Sequence, residues 1–515
     1  MIHHIRGPAY KCHRTNSTQR NKHQRTAGFA PISSPLNLDP TPAFPIGIGF
    51  KMLQSLSCRE FQACAFTSIA FKDREELQSS GALLLPSEDL RGLLLQSYLR
   101  WVHPLVPVLE IPNLFQRLLE SDDRQFPHPL LYQAVLYAGS SYVDPLELQA
   151  AGHPSRDTIG RVIRERARML YNLSVERNPI VMTQALILLS IRENLSEASL
   201  SESRYWIRHA LSVAIGAGLL DPTDEPVNQN TEYLCTISSS LRERLVWSLY
   251  TADLTISLAL DAPFQIKRPP SLNCQFVPDV FSVFDRAIIN ATFCPTSEGP
   301  ASESISEPPY HAKLCGILIE RSKLIRCMYR LLYTVDLDRR TRDALDDGMK
   351  PAILLWKMQH LDPALVTSVE ARLKRWLENL PASVRYSAQW TLIEHSRQSK
   401  EFTLCVHRGA LYILYLTYLL ALYNGKMART PTYSESLVRR ARQVAAEIVQ
   451  TWAGLAETQA IEFLPSYCFL SLNLAREVYT QHSGGCTNSE DWYAMWAIRS
   501  CDAFLAQGFH RTGDV

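Results

Sequence analysis

Two clusters of aspartates are the first candidates for chemistry in this chain. Asp343, Asp346 and Asp347 fall on a helical stretch and Asp122-Asp123 on a loop, and grouped carboxylates can hold magnesium against a diphosphate. The spacing argues against that use. A metal-holding pair is expected ahead of its third acid, whereas here the lone acid comes first, and no companion Asn/Ser/Glu motif follows. Cys12 with His3, His4, His13 and His23 offers thiol and imidazole ligands, but a structural metal cluster needs several such residues at set spacings, and only one cysteine stands here. No nucleophile elbow, phosphate-cradling glycine loop or His-Glu-x-x-His pair occurs. Catalysis is not expected, and no metal or other cofactor is assigned to this chain.

Single titratable groups read as structural. His103 stands beside the proline break at Pro104 and Pro107, where a satisfied buried histidine is expected rather than a base. Asp253 lies inside an otherwise apolar helix and needs a hydrogen-bonding or basic partner there, because an unpaired buried carboxylate is costly or held neutral. Arg161, Arg164, Arg166 and Arg168 form a basic face interrupted by Glu165 without interleaved aromatic residues, which reads as a solvated surface rather than a nucleic-acid contact. Arg20, Lys22 and Arg25 lie in a polar tail, as a solvated run or as a nuclear-import or DNA-backbone patch.

The elements that would position these groups centre on residues 204–270. Trp206, Ala210, Val213, Ala217 and Leu220 recur at spacings of four, three, four and three, one buried helical face. Small residues near its end, including Gly216 and Gly218, suit close approach by another backbone, and Asp221-Pro222 stops it. A second helix follows, with Ser240 and Glu243 at capping-box spacing. Leu241, Leu245, Leu249, Ala252, Ile256 and Leu260 form one stripe, and Trp247, Tyr250, Leu254 and Leu258 a second, so this helix should be buried most of the way round.

Bulk properties fit a soluble globular protein: 46% apolar and 20% charged residues, with a formal charge of +2 that gives no global attraction to nucleic acid or membrane. The twelve cysteines are scattered without repeated spacing, as in reduced intracellular proteins. No secretory signal is visible, since the basic opening has no apolar run. The most apolar stretch, Leu411 to Tyr423, is about 13 residues against the roughly 20 a spanning helix needs. It is expected in the core.

These residues carry a resemblance. Gly218-Leu219 before Asp221-Pro222, then Leu241-Arg242-x-Arg244-Leu245-x-Trp247-Ser248-Leu249-Tyr250-x-x-Asp253, then Leu260 and Pro263, resemble the middle homology region of fungal-specific transcription factors. Tyr98-Leu99-x-x-Val102-His103-Pro104-Leu105-x-Pro107-Val108-Leu109 is similar to the opening of the same region, Thr183 to Ser190 resembles its Gln-Ala-Leu-x-Leu-Leu segment, and GALLLP at Gly81 looks most like the cutinase-activator branch. Leu254 and Asp261-Ala262 depart from the pattern where the family carries arginines. The resemblance spans about residues 80 to 480 and is densest between 90 and 265.

What the resemblance implies is an all-α, irregular multi-helix regulatory domain in a nuclear regulator of metabolic or secondary-metabolite genes. His103, Pro104, Pro107, Trp206, Gly218, Trp247, Tyr250, Asp253 and Pro263 would be its motif core. The family's DNA-reading module is a zinc cluster of form C-x2-C-x6-C with a second such half, and this sequence contains no C-x2-C. Zinc is therefore expected only in a longer form, and the module is either lost or missing from an incomplete reading of the gene. DNA contact would be indirect or weak, the partners other transcription regulators or transcription machinery, and membranes are not among them. A small-molecule effector and a second copy of the chain are carried as candidate partners, although no heptad run supports a coiled coil.

The expected layout is a basic, Pro/Ser-rich and mostly disordered tail over 1–80, a helical first half over 81–293, a flexible loop over 294–309 and a helical second half over 310–510. Helices are expected near 311–335, 342–359, 363–379, 400–424, 434–457, 464–481 and 490–507. Two other classes are weighed: a helical protein-interaction scaffold, though no fixed repeat period is visible, and an all-α terpene-cyclase-like enzyme, against which the aspartate spacing speaks.

Overall fold

Short polar side chains, several followed by proline, set where many helices begin. Asp144, Asn178 and Asp362 each accept from a first-turn N–H, and each precedes a proline whose missing N–H is not needed at that position. Ser87, Ser155 and Ser238 cap three more helices without one. The computed structural model describes residues 51, 53–66, 71–110, 128–191, 197–220, 233, 237–260, 264–266, 310–343, 362–387, 397–427, 435–481, 496–497, 499–504 and 506. Every regular element among them is helical.

The first half contains α1 (Cys58–Phe66), α2 (Phe71–Ser79), α3 (Glu88–Ser97), a π-helical turn (Tyr98–Val102), α4 (Pro129–Ser140), α5 (Pro145–Ala150), α6 (Arg156–Asn172), α7 (Pro179–Leu189), α8 (Glu197–Gly216) and α9 (Ser239–Ala259). The second contains α10 (Tyr310–Asp343), α11 (Pro363–Glu378), α12 (Lys400–Met427), α13 (Glu435–Glu457) and α14 (Phe469–Gln481). Each half is built round a helix buried on all sides. α4, every residue of which is buried, packs against α3, α6 and α7. α12 packs against α10, α11, α13 and α14.

The Trp206 and Trp247 helices, α8 and α9, pack on each other as their stripes require. Gly218 ends α8 at φ +72°, where the Leu219 N–H reaches the Ala214 carbonyl at 2.9 Å and the Gly218 N–H the Ile215 carbonyl at 3.0 Å, a left-handed stop that suits glycine.

Several expectations are revised. α9 is capped by Ser238, whose Oγ accepts from the Leu241 N–H at 3.0 Å, so Ser240 already lies within the helix and the Ser240/Glu243 box does not form. Ordered structure begins upstream of Gly81: Leu53, Leu56, Phe61 and Leu77 are buried, and Tyr132 on α4 donates to the Leu53 carbonyl at 2.7 Å. The expected 464–481 helix starts instead, after Pro465, as a 3-10 turn, Ser466–Cys468, that runs into α14, and a separate 3-10 turn, Ala460–Phe463, precedes it. α12 is a continuous helix of 28 residues, so length no longer argues against its crossing a membrane; instead, 94% of its most apolar window is covered by the rest of the protein. Close backbone approach also falls elsewhere than expected. A Cβ on Gly216 would meet nothing within 4 Å, whereas one on Gly139 of α4 would lie 2.1 Å from the Leu94 carbonyl oxygen of α3. Residues 1–50, the 294–309 loop and nearly all of the expected 342–359 helix lie outside the described residues.

Gly139→Ala should therefore force α3 and α4 apart and lower stability by about 1–3 kcal/mol, while Gly216→Ala should be neutral or stabilising by up to about 1 kcal/mol. Urea unfolding followed by far-UV circular dichroism distinguishes the two.

Candidate functional site

The π-helical turn leads into a stretch of irregular backbone that is almost wholly buried. His103 is fully buried, and Leu105, Val108 and Leu109 are nearly so. Pro104 and Pro107 cannot donate and prevent the helix from continuing, so, although the Val106 carbonyl takes the Val108 N–H at 2.8 Å, most carbonyls of this segment lack a helical partner. Side chains from distant helices supply the donors. Gln184 on α7 donates to the Val108 carbonyl at 2.6 Å. Arg244 on α9 reaches the Pro107 and Leu109 carbonyls at 3.1 and 2.9 Å. Arg321 on α10 donates to the Leu105 carbonyl at 3.0 Å.

The Leu-Arg-x-Arg pattern thereby acquires a physical meaning. Arg244, only 5% exposed, holds the broken segment and lies 3.9 Å from the Glu110 carboxylate. Arg242 donates to the Gly218 carbonyl at 3.3 Å and ties α9 to the end of α8. Asp253 accepts from the backbone N–H groups of Gln265 and Ile266 at 2.9 and 3.0 Å, fixing the chain as it leaves α9. Burial raises the Asp253 pKa, and those two N–H groups work the other way. Trp206 is fully buried, its ring edge-on to Tyr171 at 5.6 Å. Trp247 and Tyr250 meet edge-on at 5.6 Å, and Tyr250 continues to Tyr329 of α10 at 5.0 Å. Pro263, Arg20, Lys22, Arg25, Cys12, Asp122, Asp123, Asp346 and Asp347 lie outside the described residues, as does the Asp343 side chain.

Each arginine of the basic face of α6 has a partner within the protein. Arg168 pairs with Glu202 at 2.6 Å, Arg164 lies 3.7 Å from the same carboxylate, Arg161 pairs with Asp157 at 3.6 Å, and Arg166 donates to the Leu84 carbonyl at 3.0 Å.

Among the described residues, one of the features that could hold a ligand adjoins the broken segment. Where α7, α8 and α9 meet the π-helical turn, α10 and the Pro465–Tyr467 segment, a half-open cavity of about 110 Å³ remains. Its walls are mostly apolar, with Trp101, Leu105, Ile187 and Ile256 among them, and its polar groups are hydroxyls and the Arg321 guanidinium. Sequence reading missed Arg321. The available signal was a polar Glu320-Arg321-Ser322 triplet within an apolar helix, and all three residues are buried. Among the described residues, Cys315, Cys327, Cys405, Cys468 and Cys501 are free thiols, and no group of three or more His, Cys, Asp or Glu side chains is placed to hold a metal ion.

Comparison with known proteins gives a consistent result. A family model described as "Fungal specific transcription factor domain" matches residues 95–377. The chain is 26% identical to cutinase transcription factor 1 beta of Fusarium vanettenii over 422 residues, covering 78% of this chain and 45% of that protein. It is 31% identical to transcription factor cpaR of Aspergillus oryzae over 191 residues, 37% of this chain and 31% of that protein. It is 30% identical to the acetamidase regulatory protein of Emericella nidulans over 139 residues, 27% of this chain and 16% of that protein. The chain thus spans less than half the length of the curated relatives it matches. No solved structure matches it.

Two outcomes follow from the geometry. Arg244→Met leaves two buried carbonyls without their donor and should cost roughly 2–5 kcal/mol in urea unfolding. Burial also depresses His103 to about 3 and His407 to about 4, from an ordinary 6.5. The unfolded chain then takes up protons first, so the stability these histidines carry is complete above about pH 6.5 and is lost as pH falls toward pH 4, at up to about 1.4 kcal/mol per pH unit for each. Unfolding midpoints at pH 7 and pH 5 should show the loss, and His103→Gln should flatten it.

Proposed function

Because the chain belongs to the fungal specific transcription factor domain family, we propose that it is the helical regulatory body of a fungal transcription regulator acting in the nucleus, and not an enzyme. The observation that carries this reading is the use made of the motif. Its polar residues, Arg242, Arg244 and Asp253, are occupied in holding buried backbone rather than facing a reaction cleft. Groups used in this way hold a shape, which is what a domain that works through contact and conformation needs.

DNA reading falls to another segment or to a partner. The formal charge is +2, and the arginines of α6 are engaged within the protein. Relatives named for the control of cutinase and acetamidase genes support a role in metabolic gene control, with transcription machinery or other regulators as the contacts.

Fusing the chain to an unrelated DNA-binding module and reading a fungal reporter tests this. The fusion should raise or lower output relative to the module alone, and the chain by itself should bind DNA no more tightly than non-specific contact, roughly 10⁻⁴ to 10⁻⁶ M at physiological salt. An inert fusion, or tight sequence-selective binding by the chain alone, would overturn the reading.

A further inference from the structure

The cavity is lined by a cation with no anion to face. Arg321 is 6% exposed. Its guanidinium carbon stands 5.2 Å from the Tyr467 ring centroid, its Nη1 holds the Leu105 carbonyl at 3.0 Å, and its Nε has no acceptor. Arg244, by contrast, spreads its N–H groups over the Pro107 and Leu109 carbonyls. Among the described residues no carboxylate lines the cavity or pairs with Arg321. Two further lining groups, Ser203 Oγ and Tyr467 Oη, are also buried without a hydrogen-bond partner. Of the other lining hydroxyls, those of Ser190 and Thr255 already donate to the Ile187 and Thr251 carbonyls at 2.6 and 2.7 Å.

A guanidinium with N–H groups to spare, two unpartnered hydroxyls and otherwise apolar walls select for one negative charge on a compact apolar body. Size narrows the class further. At about 110 Å³ the half-open space is smaller than the roughly 150 Å³ engineered cavity that accepts benzene, so it favours a compact body, and a single ring would sit partly in its mouth. We propose that this cavity binds a small monocarboxylic acid with a short branched or single-ring apolar body, its carboxylate seated against Arg321 with Tyr467 and Ser203 as hydroxyl donors. The bound acid would bridge α10 of the second half to α8 and α9 of the first. That consequence rests on the regulatory reading above, whereas the binding itself does not.

The purified full chain, titrated with isovalerate and benzoate by calorimetry and thermal unfolding, tests the binding apart from any effect on transcription. Either acid should bind and raise the unfolding midpoint, while isoamyl alcohol and isoamylamine, matched in shape but neutral or cationic, should bind at least about tenfold more weakly. Arg321→Met should weaken the acid at least roughly thirtyfold, and Arg321→Lys should restore part of the loss. Should Arg321→Met fail to fold, Ala252→Phe, which fills the cavity while keeping the guanidinium, should abolish binding. Equal affinity for acid and alcohol, unchanged acid binding in a folded Arg321→Met, or no binding of either acid to the folded wild-type chain would overturn the proposal. An inert reporter fusion with intact acid binding would sink the regulatory reading alone.

Discussion

A run of buried backbone that cannot be a helix governs this structure. In a helix each carbonyl finds its own N–H four residues on, and burial then costs no hydrogen bond. From His103 to Leu109 two prolines forbid that solution, yet the chain stays inside the protein. The Val106 carbonyl takes the Val108 N–H at 2.8 Å, but four others are met by side chains long enough to arrive from other helices. Gln184, Arg244 and Arg321 meet Val108, Pro107 with Leu109, and Leu105 respectively. Because they come from α7, α9 and α10, the broken segment fixes three helices against one another.

The same junction joins the two halves. The Trp101 ring in the π-helical turn stacks on Phe463 at 4.6 Å and meets Phe402 of α12 edge-on at 6.2 Å. Beside it, Arg100 donates to Thr403 Oγ1 at 2.7 Å, and His407 contacts the Arg100 carbonyl at 3.1 Å. Further out, Arg397 pairs with Asp144 at 3.1 Å and Arg156 donates to the Glu462 carbonyl at 3.2 Å. Aromatic faces supply area and guanidiniums supply direction, so the interface resists both separation and sliding.

What local pattern can encode was legible in the sequence. Periodicity placed α8 and α9 and the faces they bury, and Asn178-Pro179 marked the start of α7. What depends on a distant partner was not. Ser238 and Ser240 are equally good caps by type, and Glu243 favoured the wrong one; the Ser238 hydroxyl also donates to Glu110, which no local rule reveals. Nothing local reveals the role of Arg244, whose acceptors lie 137 and 135 residues away in sequence. The packing of Leu53 and Phe61 was hidden for a related reason, since short segments with few apolar residues become core only when a neighbour such as Tyr132 covers them.

The cavity and the broken segment share one cause. Helices tile space when ridges fill grooves, and a proline-broken strand among them offers no regular ridge, so packing there is completed unevenly. The gap opens beside Leu105, the residue whose carbonyl Arg321 holds. A group entering the gap and taking the spare N–H of Arg321 would therefore add to the contacts of the side chain that fastens α10 to the rest of the body. Occupancy and inter-helix geometry are then coupled through a single guanidinium, with no hinge or lid required. A core packed tightly everywhere could not be adjusted in this way, because it would offer no site at which a small molecule alters the balance between two arrangements.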